Sequence, residues 1–180
     1  SAGSRKWNAI ASNSTGDRLA AVVSEGGLIY VSDDYGSTWT SRAQTRDWWC
    51  IDSNSDGSRL VAGEQGAGWI YNSWDYGETW FGVEPPGFAA GNSVAISSDG
   101  KYVKAASAGF LWESSDFGLS WSIMPRAGDK SWYKIKSNPD GSILLGTNYS
   151  EGIYYSNDHG STWKARDPDA DWYYADIAMN

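Results

Sequence analysis

Cysteine is nearly absent from this 180-residue chain: Cys50 is the only one. An intrachain disulfide framework is therefore excluded, and cysteine use leaves the compartment open. Histidine is equally scarce, with His159 alone. A histidine-based triad or a paired-histidine metal site has nothing to build on. No apolar run approaches the roughly 18 residues of a membrane-spanning helix. The opening Ser1-Ala2-Gly3-Ser4-Arg5-Lys6 has no apolar core of a signal peptide. Basic residues are in deficit, 14 against 22 acidic, for a net charge of −8. A surface of that sign repels phosphate backbones and anionic headgroups, so neither nucleic acid nor a membrane is expected as a partner.

What the chain has in excess is large aromatics: 12 Trp and 11 Tyr against 4 Phe. Many of them fall in a repeat. Ser32-Asp33-Asp34-Tyr35-Gly36-Ser37-Thr38-Trp39 returns as Ser73-Trp74-Asp75-Tyr76-Gly77-Glu78-Thr79-Trp80. It returns again as Ser114-Ser115-Asp116-Phe117-Gly118-Leu119-Ser120-Trp121 and as Ser156-Asn157-Asp158-His159-Gly160-Ser161-Thr162-Trp163. A second landmark runs in phase, a polar turn ending in Gly16, Gly57, Gly100 and Gly141. Asp-Gly and its relatives supply the positive φ of tight hairpins. Short β-prone runs such as Arg18–Val23 and Leu28–Val31 lie between the landmarks, and no stretch carries a helical period. Each repeat reads as four short strands, and four strands in about 40–45 residues is the period of a propeller blade.

Within the repeated box the chemistry is structural. Asp34, Asp75, Asp116 and Asp158 stand two residues before Gly36, Gly77, Gly118 and Gly160. Each carboxylate is expected to accept that glycine's N–H in an Asx-type turn, with the Ser or Thr two places later satisfying another group. Trp39, Trp80, Trp121 and Trp163 open the fourth strands. They are expected to pack between blades and to give their N–H to a buried carbonyl.

The pattern Ser-x-Asp-x-Gly-x-Thr/Ser-Trp resembles the Asp-box, or BNR repeat. That repeat occurs in propellers of sialidases, some xyloglucan-degrading hydrolases, the sortilin-type receptor ectodomain and a photosystem II assembly factor. The resemblance covers nearly the whole chain. It implies an all-β propeller of four-stranded antiparallel blades, with blades at about 7–42, 48–84, 92–125 and 132–166 and an extra strand at 172–179. It also implies that the boxes lie away from the usual ligand face and are not catalytic. A sialidase-like site would need an arginine cluster and an Arg-Ile-Pro-type motif, and neither is present. Arg18 and Arg59 simply recur after the turn.

The candidate binding residues lie where each blade begins: Asp47, Trp48 and Trp49, then Asp129, Trp132 and Tyr133, then Asp171, Trp172 and Tyr173. Polar groups beside exposed aromatics suit sugar rings, which stack an apolar face and bond through hydroxyls. Packing between blades is the alternative for any one of these rings. Doubled aromatics fit it poorly, because neighbouring strand residues point to opposite faces. The reading is a non-catalytic ligand-binding module without metal or cofactor, carbohydrate its leading ligand class. A protein-interaction scaffold is the alternative, as is a fragment or engineered segment of a larger propeller such as a glycoside hydrolase. His159 replaces Tyr35, Tyr76 or Phe117 in its box and is read as one more turn residue. Ile177-Ala178-Met179-Asn180 echoes Ile10-Ala11-Ser12-Asn13, so seventeen strands are expected. That is one more than a closed four-bladed ring uses, and a homodimer closing into eight blades is the favoured arrangement.

Overall fold

The computed structural model describes residues 3–66, 68–107, 109–149 and 152–166. The extra strand expected at 172–179 lies outside them. Among the described residues sixteen strands form four antiparallel sheets, each taking consecutive strands in chain order. The first blade holds β1 (Trp7–Ser12), β2 (Leu19–Val23), β3 (Gly27–Ser32) and β4 (Thr40–Arg46). The second holds β5 (Trp48–Ser53), β6 (Leu60–Glu64), β7 (Ile70–Ser73) and β8 (Phe81–Val83). The third holds β9 (Ser93–Ile96), β10 (Val103–Ser107), β11 (Phe110–Ser114) and β12 (Ser122–Ile123), followed by a 3-10 turn at Pro125–Ala127. The fourth holds β13 (Trp132–Ser137), β14 (Leu144–Asn148), β15 (Ile153–Ser156) and β16 (Lys164–Ala165).

Strand alternation sends every second side chain to the preceding blade and the rest to the following one. In β6, Leu60 and Ala62 join Val22 and Ile29 of the first blade in one buried cluster. Val61, between them, joins Val94 and Val103 of the third blade in another. The third junction repeats the scheme with Ala106 and Leu111 against Ile135 and Leu144. An edge-on aromatic pair recurs in each blade: Trp7 with Tyr30, Trp48 with Tyr71, and Trp132 with Tyr154, at centroid distances of 5.3, 4.9 and 5.4 Å. The third repeat begins irregularly and has no tryptophan at that place. Phe88 fills it, 5.9 Å from Trp112.

The first turn of each blade also reaches its neighbour. The Ser14 N–H donates to the Ser55 carbonyl at 2.9 Å, Ser55 to Ser98 at 3.1 Å, and Ser98 to Pro139 at 2.7 Å. This ladder satisfies turn groups that no strand pairing reaches.

The boxes close differently from expectation. The glycine N–H of each box donates to the leading serine, Gly36 to Ser32 Oγ and Gly77 to Ser73 Oγ, both at 2.9 Å. That serine in turn donates to the aspartate, Ser32 to Asp34 at 2.8 Å. The aspartate is thereby left for the residue four places on. Asp34 accepts the Thr38 N–H at 2.8 Å and the Thr38 hydroxyl at 2.6 Å. Asp75, Asp116 and Asp158 do the same with Thr79, Ser120 and Thr162. Serine wins the glycine because its short side chain sits inside the turn. The Thr38 contacts hold the Asp34 carboxyl down at about 2, and Thr162 does so for Asp158. Trp39, Trp80 and Trp121 donate their ring N–H to the carbonyls of Gly36, Gly77 and Gly118 at 2.9–3.0 Å. The rings of Trp80, Trp121 and Trp163 pack against the junction clusters. Both Tyr76 and Gly77 are left-handed, at φ 61° and 86°, as are their counterparts in the other boxes.

Candidate functional site

The inner strands β1, β5, β9 and β13 together line an axial cleft of about 710 Å³. The two doubled aromatic pairs among the described residues divide their labour there. Trp48 and Trp132 are completely buried, and their ring N–H groups donate to the carbonyls of Gln44 and Gly128. They are packing anchors, which corrects their place among the expected ligand-facing residues. Trp49 and Tyr133 are half-buried and line the cleft. The cause is a β-bulge. Pairing between β5 and β6 slips between Trp48 and Cys50, and pairing between β13 and β14 slips between Trp132 and Lys134. The extra residue of a bulge is unpaired and its side chain is re-aimed. In β1 the bulged residue is Asn8, which lines the same cleft and donates its side-chain amide to the Trp49 carbonyl at 2.5 Å.

Below the aromatics the cleft wall is polar. Asp52 accepts the Ile96 N–H at 3.1 Å through one oxygen, and Lys136 Nζ lies 3.8 Å from the other. Burial pushes the Asp52 carboxyl up, with Lys136 and the Ile96 N–H opposing. Lys134 sits 5.5 Å from the centroid of the Tyr133 ring, and Tyr149 packs on that ring at 4.9 Å. Cys50 also reaches the cleft, but burial pushes its thiol up to about 12, which leaves it unreactive.

The remaining expected residues divide. Asp47 accepts the Glu25 N–H at 2.7 Å, pinning the β2–β3 loop of the preceding blade. Asp129 is exposed, and its carboxylate lies beside Gly109 of the equivalent loop one repeat pair later, where Lys130 N–H donates to the Gly109 carbonyl. Asp171, Trp172 and Tyr173 lie outside the described residues. Residues not singled out from the sequence also matter. Arg46 pairs with Glu64 at 3.3 Å and stacks 4.6 Å from the Tyr71 ring, and Arg46 and Tyr71 line a second cleft of about 440 Å³ between the first two blades. The recurrence of Arg18 and Arg59 has a use as well, since both stack on the next blade. Among the described residues no cluster of three or more His, Cys, Asp or Glu could hold a metal.

No family model matches the sequence, and no curated protein matches it. Solved structures do. A GH74 enzyme from Niastella koreensis superposes with a TM-score of 0.73 at 20% identity, over 88% of this chain and 24% of that one. The GH74 xyloglucanase of Xanthomonas campestris gives 0.71 at 14% identity, over 91% of this chain and 31% of its own. YCF48, solved bound to a D1 peptide, gives 0.60 at 15%, over 88% of this chain and 51% of its own. The chain thus spans from about a quarter to about half of each of these structures. It shares their fold, and its four sheets are propeller blades.

Proposed function

We propose that this chain is an Asp-box propeller module that binds without catalysing, and that its axial cleft takes a carbohydrate. The observation that carries the reading is the bulge at Trp49 and Tyr133, which turns two aromatic faces into a polar cleft while their neighbours anchor the blades. Aromatic faces with convergent polar groups suit a sugar. Glycoside hydrolysis uses a pair of carboxyl groups across the scissile bond. Among the described residues lining the cleft, Asp52 is the single carboxylate, and the Ile96 N–H and Lys136 already engage it.

The likeness to GH74 enzymes makes xyloglucan oligosaccharides the first probe, on a glycan array run beside turnover of aryl glycosides. Binding without turnover, weakened at least about tenfold in Trp49→Ala or Tyr133→Ala, is the expected result. Turnover would replace this reading with that of a hydrolase fragment. A protein segment is the second reading, favoured by Lys134 and Lys136 along one wall and by the likeness to YCF48 with its peptide. Silence on glycans with peptide binding would select it.

A further inference from the structure

Each junction between consecutive blades repeats one set of contacts. The residue two places after the turn glycine reaches over the turn glycine of the next blade and meets that blade's box aromatic. Arg18 lies against Gly57, 2.9 Å from where a Cβ would stand, and 4.1 Å from the Tyr76 centroid. Arg59 lies against Gly100 and 4.4 Å from Phe117. Tyr102 lies against Gly141 and 6.1 Å from His159. Beneath them an inner-strand aliphatic of the later blade is sealed: Ile51 is 5% exposed, Val94 2% and Ile135 0%.

The first blade presents the receiving half of this set uncovered. Ile10, the counterpart of Ile51, is 62% exposed, and the box aromatic Tyr35 is 72% exposed. Among the described residues nothing lies within 4 Å of a Cβ built on Gly16. Beside Ile10, the side chains of Trp7, Ala21 and Trp39 line an apolar hollow of about 330 Å³. The fourth blade presents the matching half. Ile143 holds the position of Arg18, Arg59 and Tyr102 and is 41% exposed.

We propose that a second copy of this chain covers that face. The fourth blade of each copy packs on the first blade of the other, with Ile143 over Gly16 and Tyr35 of the second copy. The result is an eight-bladed ring with two identical junctions. One rung is missing at these junctions. The serine ladder runs from an N–H of one blade to a carbonyl of the next, so the closing rung would need an N–H at Pro139. Proline has none. The ring is therefore a reversible, concentration-dependent dimer, weaker at its two closing seams than at its internal ones.

Sedimentation velocity of the full chain, from low micromolar to near-millimolar concentration, tests this. The mass should rise to twice the 19.7 kDa of one chain and stop there. Ile10→Lys and Ile143→Lys should each return it to the single-chain mass with an unchanged circular dichroism spectrum, since both side chains are exposed in one copy. Pro139→Ser restores the donor and should tighten the dimer about three- to tenfold per junction. A single-chain mass throughout, a mass that grows without limit, or a dimer indifferent to all three substitutions would each overturn the ring.

Discussion

The guanidinium of Arg18 sits 4.1 Å from the centroid of the Tyr76 ring, one blade further on. Arg59 repeats the arrangement over Phe117 at 4.4 Å and also reaches Trp74 at 5.4 Å. A cation over an aromatic face stabilises by about 0.5–1 kcal/mol at exposed sites. Arg18→Ala should lower stability by that order, and Arg59→Ala by more, because two rings lose their cation. Lysine at either position should recover part of the loss. Urea midpoints read these differences, and alanine variants that unfold with the wild type would show that the stacking carries no stability.

Asp75 closes its box by accepting the Thr79 N–H, the Thr79 hydroxyl and the Ser73 hydroxyl. Asp75→Ala should cost about 1–2 kcal/mol, the hydrogen-bond value moderated by solvent access. Thr79→Val removes only the hydroxyl contact and should cost less. If the two substitutions were equal, the Thr79 N–H and Ser73 contacts would be without weight.

Acid should loosen the boxes. The Asp34 carboxyl is held at about 2 by the Thr38 hydroxyl and N–H, then by Ser32, and Asp158 stands at about 2 for the same reasons. An unfolded aspartate titrates near about 3.9. A depressed carboxyl stabilises the fold fully above that unfolded value and loses its contribution as pH falls toward the folded one. The hydrogen-bonded carboxyls of Asp56, Asp99 and Asp140 are also lowered and act in the same direction. Burial raises the Asp52 carboxyl, which works in the opposite direction, so urea midpoints should fall between about pH 4 and 2 through the balance of the lowered groups. In the double variant Asp34→Asn, Asp158→Asn the fall should be shallower.

The blades were legible because their signals are local and periodic: box, turn glycine and aliphatic run each recur in phase. Two features were not. The serine of the box takes the glycine N–H ahead of the aspartate, a contest decided by turn geometry that residue types alone leave open. Arg18 and Tyr76 lie far apart in sequence, so their recurrence was visible but the contact between successive repeats was not. The doubled aromatics announced that something alternates at each blade entrance. Which ring goes inward depends on a bulge whose register shift leaves no mark in composition.

That bulge makes the sharpest prediction. Trp48 is completely buried, with its N–H on the Gln44 carbonyl and its ring against Tyr71 and Trp80. Trp48→Ala removes a buried indole and should cost about 3–5 kcal/mol. Trp49 is its sequence neighbour but the unpaired residue of the bulge, half-buried and facing the cleft. Trp49→Ala should cost under about 1 kcal/mol, the range of substitutions away from packed or bonded features. The same contrast should separate Trp132→Ala from Tyr133→Ala, moderated at Tyr133 by its contact with Tyr149. Chemical denaturation of the four variants gives the stabilities, and the glycan array gives binding for those that fold. A stability loss at Trp49 as large as at Trp48 would place both rings in the core and remove the aromatic lining from the cleft.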